Sequence, residues 1–148
     1  NHGVIQYSNT HQGHSATIAG ALEVQKIIHD DFFLKTVYDK GIHLREKITS
    51  SLKNNVFFKN VRGRGLRNSI EYSCKDQHLF GLTLAEQMKT EHNIILSGKW
   101  HRVSMSPALI VTWEELDFVI DRFIDQFEKL TKKWDTIEKS KIKIKNFF

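Results

Sequence analysis

TWEELDFVIDRFIDQFEKLTKKW, residues 112–134, is written in a single period. Trp113, Leu116, Ile120, Phe123, Phe127, Leu130 and Trp134 recur at alternating steps of three and four, which lines them along one face of an α-helix. Glu114, Glu115, Asp117, Asp121 and Glu128 fall off that face. Thr112 and Glu115 form a Thr-x-x-Glu capping box, in which each side chain satisfies an otherwise orphaned backbone N–H at the helix start. A coiled-coil seam would also repeat in this way. This stripe covers only three heptads and uses aromatics where such seams use Leu and Ile, so it predicts a helix laid across a sheet.

The sheet is sought upstream of that helix. Residues 102–105 and 94–96 read as short strands, and residues 79–91 as a helix carrying Phe80, Leu84 and Met88 on one face. Before them, Val56-Phe57-Phe58 runs into Asn60-Val61-Arg62-Gly63-Arg64-Gly65-Leu66. Beyond this Leu66, Ile70 and Tyr72 alternate on one face, interrupted by Asn68. Two strands around a glycine turn are predicted, with the glycines there for positive φ or close packing. Residues 32–52 form a further helix through Leu34, Val37, Tyr38, Leu44, Ile48 and Leu52. Residues 15–30 form another, whose face of Ala16, Ala19, Gly20 and Ala21 is expected to be well buried. The order α-α-β-β-α-β-β-α predicts an α+β domain with antiparallel strands covered by helices.

Composition bounds the function. The chain has 148 residues, 40% hydrophobic and 26% charged, in the range of a soluble globular domain with a real core. No apolar run is long enough to cross a bilayer and no signal pattern opens the chain, so no membrane partner is expected. The single cysteine, Cys74, can form no internal disulfide, which fits a reducing compartment and a cytoplasmic or matrix location, of which the cytoplasmic is expected. The net charge is +5, but residues 129–145 alone hold seven lysines against Asp135 and Glu138, so the remainder is close to neutral. A solvated basic tail accounts for that surplus. A nucleic-acid binder using Arg62, Arg64, Arg67 and the tail is disfavoured, because no aromatic-basic platform accompanies them.

Motifs that would declare an enzyme by spacing alone are missing: there is no His-Glu-x-x-His, no paired Cys-x-x-Cys, no Walker loop and no Gly-x-Ser-x-Gly. His11 and His14 lie close together, but no acid or cysteine beside them completes a metal site, and none is expected. One segment suits an anion. In Asn9-Thr10-His11-Gln12-Gly13-His14-Ser15 a hydroxyl and unencumbered N–H groups precede a long helix, a setting that attracts phosphate and that equally describes a simple cap.

Three stretches in order resemble the class III pyridoxal-phosphate-dependent aminotransferases. Residues 10–15 with the alanine-rich helix resemble that family's Thr-Tyr-x-Gly-His-Pro stretch, with His11 for tyrosine and Ser15 for proline. Residues 60–66, continuing to Ile70-Glu71, resemble its Val-Arg-Gly-x-Gly-Leu turn. Ser106-Pro107-Ala108-Leu109-Ile110-Val111-Thr112 with Glu114 and Glu115 resembles its Pro-Pro-Leu-Ile-Ile-Thr-x-Glu-Glu signature, with Ala108 for the second proline. The likeness covers residues 7–130 and is confined to the C-terminal part of such enzymes.

The resemblance implies a fold type I small domain in residues 31–136, the end of the large domain and a connecting helix in residues 1–30, and a basic tail in residues 137–148. It implies pyridoxal phosphate as cofactor, a homodimer, and amino transfer from an amine or amino acid to a 2-oxo acid. Thr10 would reach the phosphate of the cofactor held by the other subunit. The family's carboxylate-pairing arginine stands three residues before the signature; that position is Ser104 here, and Arg102, two residues earlier, is the substrate-binding candidate. On a strand that shift keeps the face and moves the group by about 6–7 Å. The family's cofactor lysine lies upstream in the large domain, so no residue of this chain is expected to be catalytic. The alternative is an inactive, truncated or degenerate homologue acting as an interaction module, to which His11, Ser15, Ala108 and Ser104 give weight.

Overall fold

Helix, strand and loop fall in the expected order along the chain. The computed structural model describes Thr10 and residues 13–145, with side chains as far as Trp134. His11 and the side chains of Lys139, Lys141, Lys143 and Lys145 therefore lie outside the described residues. The chain divides into two compact units, Asn1–Thr36 and Val37–Phe148.

The first unit contains α1 (Ser15–Ile28), none of whose residues is buried. This corrects the expectation of a well-buried helix. A face of small residues shows which side can be approached closely, but it does not say whether the covering surface belongs to the same chain. Ile18, Leu22, Val24 and Ile27 are all about half exposed.

The second unit is built on a four-stranded antiparallel sheet of order β1-β2-β4-β3, formed by β1 (Phe58–Arg64), β2 (Arg67–Tyr72), β3 (Ser97–Lys99) and β4 (Arg102–Met105). Val61, Asn68, Ile70, Tyr72, Val103 and Met105 point to its inner face, and the residues between them point outward. α2 (Asp31–Leu52) contributes Leu44, Ile48 and Leu52 to the core beneath the inner face, α3 (Gln77–His92) Phe80, Leu84 and Met88. α4 (Trp113–Lys145) adds Leu116, Ile120, Phe123, Phe127, Leu130 and Trp134, so the stripe packs on the sheet as expected. Its capping box forms: Thr112 N–H donates to Glu115 Oε2 at 2.9 Å, and Glu115 N–H to Thr112 Oγ1 at 3.1 Å. The far end of the stripe is tied down by Trp134 Nε1–H, which donates to the Lys75 carbonyl at 2.9 Å.

Trp113 departs from the stripe. It stays 41% exposed and serves as a platform, with Lys40 Nζ 5.5 Å above its ring and His43 edge-on to it. The strand expected at residues 94–96 also differs. Asn93 ends α3 in the left-handed conformation (φ 57°), and Ile94 N–H turns back to the Met88 carbonyl at 3.0 Å. Residues 94–96 are thus spent on leaving the helix, and pairing begins at Ser97. Gly98 then passes so close to α3 that a Cβ there would lie 2.3 Å from the Gly81 carbonyl oxygen.

The glycine turn between β1 and β2 is held from three sides. Gly65 sits at φ +51°, which favours glycine, and a Cβ on Gly63 would lie 2.2 Å from the Arg67 carbonyl oxygen. Asn68, 1% exposed, closes the turn by donating Nδ2–H to the Gly65 carbonyl at 3.0 Å and accepting from Arg45 Nη1–H at 3.0 Å. An asparagine at an inward strand position thereby has a partner for both its amide nitrogen and its amide oxygen, as burial of an amide requires.

α2 and α4 are joined by an ion-pair cluster. Asp117 Oδ1 accepts from Lys47 Nζ at 2.7 Å and meets His43 Nε2 at 2.8 Å, while Lys47 also reaches Asp121 at 2.7 Å. The hydrogen bond from Lys47, then that from His43, holds the Asp117 carboxyl below the usual carboxylate range. A depressed carboxylate contributes stability that is present above the unfolded value of about 3.9 and disappears as pH falls through the folded value. Asp117→Asn should therefore flatten the acid limb of a melting-temperature profile below about pH 5. An acid limb of unchanged slope would show that this cluster carries no pH-linked stability.

Candidate functional site

The outer face of the sheet gathers the residues on which a functional reading rests. In its register Glu71 of β2 stands opposite Asn60 and Arg102, and Lys99 stands opposite Arg102 on the other side. The next row places Arg62, Ser69, Ser104 and Ser97 side by side across the four strands. Arg64 faces Arg67 across the turn. Arg62 Nε lies 2.6 Å from Glu71 Oε1.

Arg102 is exposed, and Ser104 shares its face because Val103 and Met105 take the two buried positions of β4. The strand geometry expected for the Arg102/Ser104 pair is therefore present. Arg102 does not stand alone. With Arg62, Gly63, Arg64, Arg67 and Ser69 it lines a depression of about 380 Å³. Arg62, Arg64 and Arg67 were legible in the sequence as a basic turn. What joins them to Arg102, some forty residues on, is the β2–β4 pairing, which no local pattern shows.

The Ser-Pro-Ala-Leu-Ile-Val-Thr stretch runs from β4 to the cap of α4. Its loop is closed by Val111 N–H donating to the Ala108 carbonyl at 3.0 Å. Lys40, only 6% exposed, donates Nζ–H to the Val111 carbonyl. A lysine so far inside a helix face carries no sequence signal for burial; its carbonyl acceptor and the Trp113 ring compensate for lost water. Tyr72, on the inner face, donates its hydroxyl to the Trp100 carbonyl at 3.1 Å, and burial followed by the nearby Cys74 raises its pKa.

Thr10 belongs to the first unit. It is exposed, in a turn. Gly13 follows at φ +78° with open space around its Cβ position, and α1 begins at Ser15 with no side chain capping it. Exposed N–H groups at a helix start beside a hydroxyl can receive phosphate oxygens. Among the described residues no cluster of three His, Cys, Asp or Glu side chains could hold a metal ion, and no helix is long and apolar enough to cross a membrane.

Comparison with known proteins agrees with the sequence resemblance. The sequence model of the aminotransferase class-III family matches residues 2–127. The acetylornithine aminotransferase of Bacillus cereus is 32% identical over 111 residues, which are 75% of this chain and 28% of that protein. In fold, the chain is similar to the acetylornithine aminotransferase of Elizabethkingia anophelis, with a TM-score of 0.72 at 19% identity, covering 84% of this chain and 31% of that one. It is likewise similar to the omega transaminase of Pseudomonas jessenii in complex with PMP, with a TM-score of 0.74 at 24% identity, covering 87% and 30%. These neighbours share the α+β fold of this chain, helices on one face of an antiparallel sheet. The chain spans somewhat over a quarter of the length of the curated relative, and it belongs to the class III aminotransferase family.

Proposed function

We propose that the chain is the C-terminal portion of a pyridoxal-phosphate-dependent transaminase that moves an amino group from an amine or amino acid to a 2-oxo acid. The family match over residues 2–127 carries this reading. On it, residues 1–30 end the large domain and connect it to the small domain of residues 31–136, and residues 137–148 are a tail. The complete enzyme is a cytoplasmic homodimer, and the lysine that binds the cofactor covalently lies in the remainder of the large domain.

The described residues fit one part of the cofactor. The Thr10 hydroxyl and the uncapped start of α1 suit its phosphate, contributed across the dimer to the partner's cofactor. Pyridoxal phosphate, when bound, supplies the electron sink through which the amino group is moved. This segment's own work is to bind and orient: Thr10 holds phosphate oxygens, and Arg102 faces the distal end of the substrate from the outer face of the sheet. Ser104, where the family's arginine stands, favours the second reading of a catalytically inactive homologue that acts as an interaction module.

The chain alone, mixed with pyridoxal phosphate and an amine donor, should form no stoichiometric lysine adduct and transfer no amino group. Joined to its upstream coding sequence it should do both. There, Thr10→Ala should weaken cofactor affinity about ten- to a hundredfold, the effect of losing one hydrogen bond to a charged group. A complete protein without amino transfer would leave the inactive module standing. Unchanged cofactor affinity would reduce Thr10 to a turn residue.

A further inference from the structure

A single substrate-facing arginine does not account for the outer face of the sheet. Arg62, Arg64, Arg67 and Arg102 come from three different strands, yet they line one depression of about 380 Å³. Among the described residues Arg62 is paired, with Glu71 at 2.6 Å, so four guanidinium groups less that one carboxylate leave three formal positive charges. Lys99, opposite Arg102, extends the same field. Among the described residues Arg64, Arg67 and Arg102 make no ion pair. Like charges held together on a folded face create a potential that draws in anions. Guanidinium forks match the oxygens of phosphate and carboxylate groups in pairs. Ser69 adds a hydroxyl within the depression.

We infer that this basin binds the end of a small ligand that carries two or more negative charges as oxyanions, either one phosphate group or two carboxylates. A lone carboxylate would leave two of the three surplus charges uncompensated. A nucleic-acid strand is disfavoured by the shape and lining: the basin is a local hollow, and no aromatic side chain lines it for bases to stack on. In the complete enzyme the ligand is the distal end of the amino donor or acceptor. That assignment rests on the reading of Arg102 as substrate-binding; the anion site itself does not.

The test titrates the chain at fixed ionic strength with inorganic phosphate, pyrophosphate, succinate and acetate, following the amide and arginine Nε–H NMR signals of residues 62–69 and 102. At least one dianion should bind about tenfold or more tightly than acetate, and Arg67→Gln with Arg102→Gln should remove about that factor. Lys53→Gln, outside the basin, should change nothing, and amide dispersion of each variant reports that it is folded. Preference for phosphate over succinate identifies a phosphate-bearing ligand, and the reverse a dicarboxylate. Equal affinity for acetate, binding unaffected by the double substitution, or tighter binding of a single-stranded oligonucleotide than of pyrophosphate would each overturn the inference. Amino transfer by the complete enzyme without any dianion preference would refute the basin and spare the transaminase reading. Dianion binding in a complete protein that transfers no amino group would do the opposite.

Discussion

Phe80→Ala should destabilise the second unit by about 3–5 kcal/mol, the cost of removing a buried phenyl ring and leaving a partly collapsed cavity. Phe80 is fully buried, and four aromatic rings surround it: Phe57 at 5.5 Å, Tyr72 at 4.9 Å, Phe127 at 5.4 Å and Trp134 at 5.0 Å between centroids. Those rings come from the approach to β1, from β2 and from the α4 stripe, so this side chain is where helix α3 joins the sheet to the last helix. Edge-on and tilted pairs of this kind add about 0.5–1.5 kcal/mol each beyond area burial, and rigid neighbours close poorly over the gap. A loss of this size is a large share of a net stability of about 5–15 kcal/mol. Leu82→Ala, two residues along α3 and 47% exposed, should cost about 0.5 kcal/mol or less. Denaturant melts of the two variants make the comparison. Similar small losses from both would mean that the aromatic cluster does not hold the unit together.

The aromatic centre was visible from sequence because it obeys local periods. Phe80, Leu84 and Met88 repeat at four-residue steps, the α4 stripe repeats at three and four, and both land in one core. The capping box was equally legible, since both of its partners lie within one turn. What local pattern could not show was anything decided by a distant surface. The small-residue face of α1 looks the same in sequence whether or not it is covered, and here it is not. Ile94 and Leu96 carry strand-forming side chains, yet the left-handed exit at Asn93 claims their backbone for the end of α3. Lys40 is buried by a carbonyl 71 residues away, a pairing that composition disguises as an ordinary surface lysine. The candidate site divides in the same way. Arg102 and Ser104 could be placed on one strand face, and the basic turn could be read as a turn. Their meeting in one basin follows from the antiparallel β2–β4 register alone.

The same substitution at two helical glycines should have opposite signs. In Gly41→Ala the added methyl would lie 2.1 Å from the Gly65 carbonyl oxygen and 2.5 Å from its carbonyl carbon. Both are backbone atoms, so the obstruction cannot be relieved by a side-chain rotation. The Gly65 carbonyl also accepts from Asn68 and Arg45, and its residue sits at φ +51°, which leaves the turn little freedom to retreat. Either α2 or the whole β1–β2 turn must move, at a cost of about 1–3 kcal/mol or more. Gly20 in α1 has nothing within 4 Å of its Cβ position. Ala there removes the backbone freedom of glycine and should stabilise the helix by up to about 1 kcal/mol. Denaturant melts report the first change, and amide exchange along α1 the second. The turn displaced in Gly41→Ala carries Arg64 and Arg67 on its two sides, so dianion binding should weaken although residue 41 lies outside the basin. A Gly41→Ala protein of unchanged stability would show that α2 and the turn are not in the close contact on which this geometry depends. A destabilised one that still bound dianions at full strength would show that the basin does not need the turn where it stands.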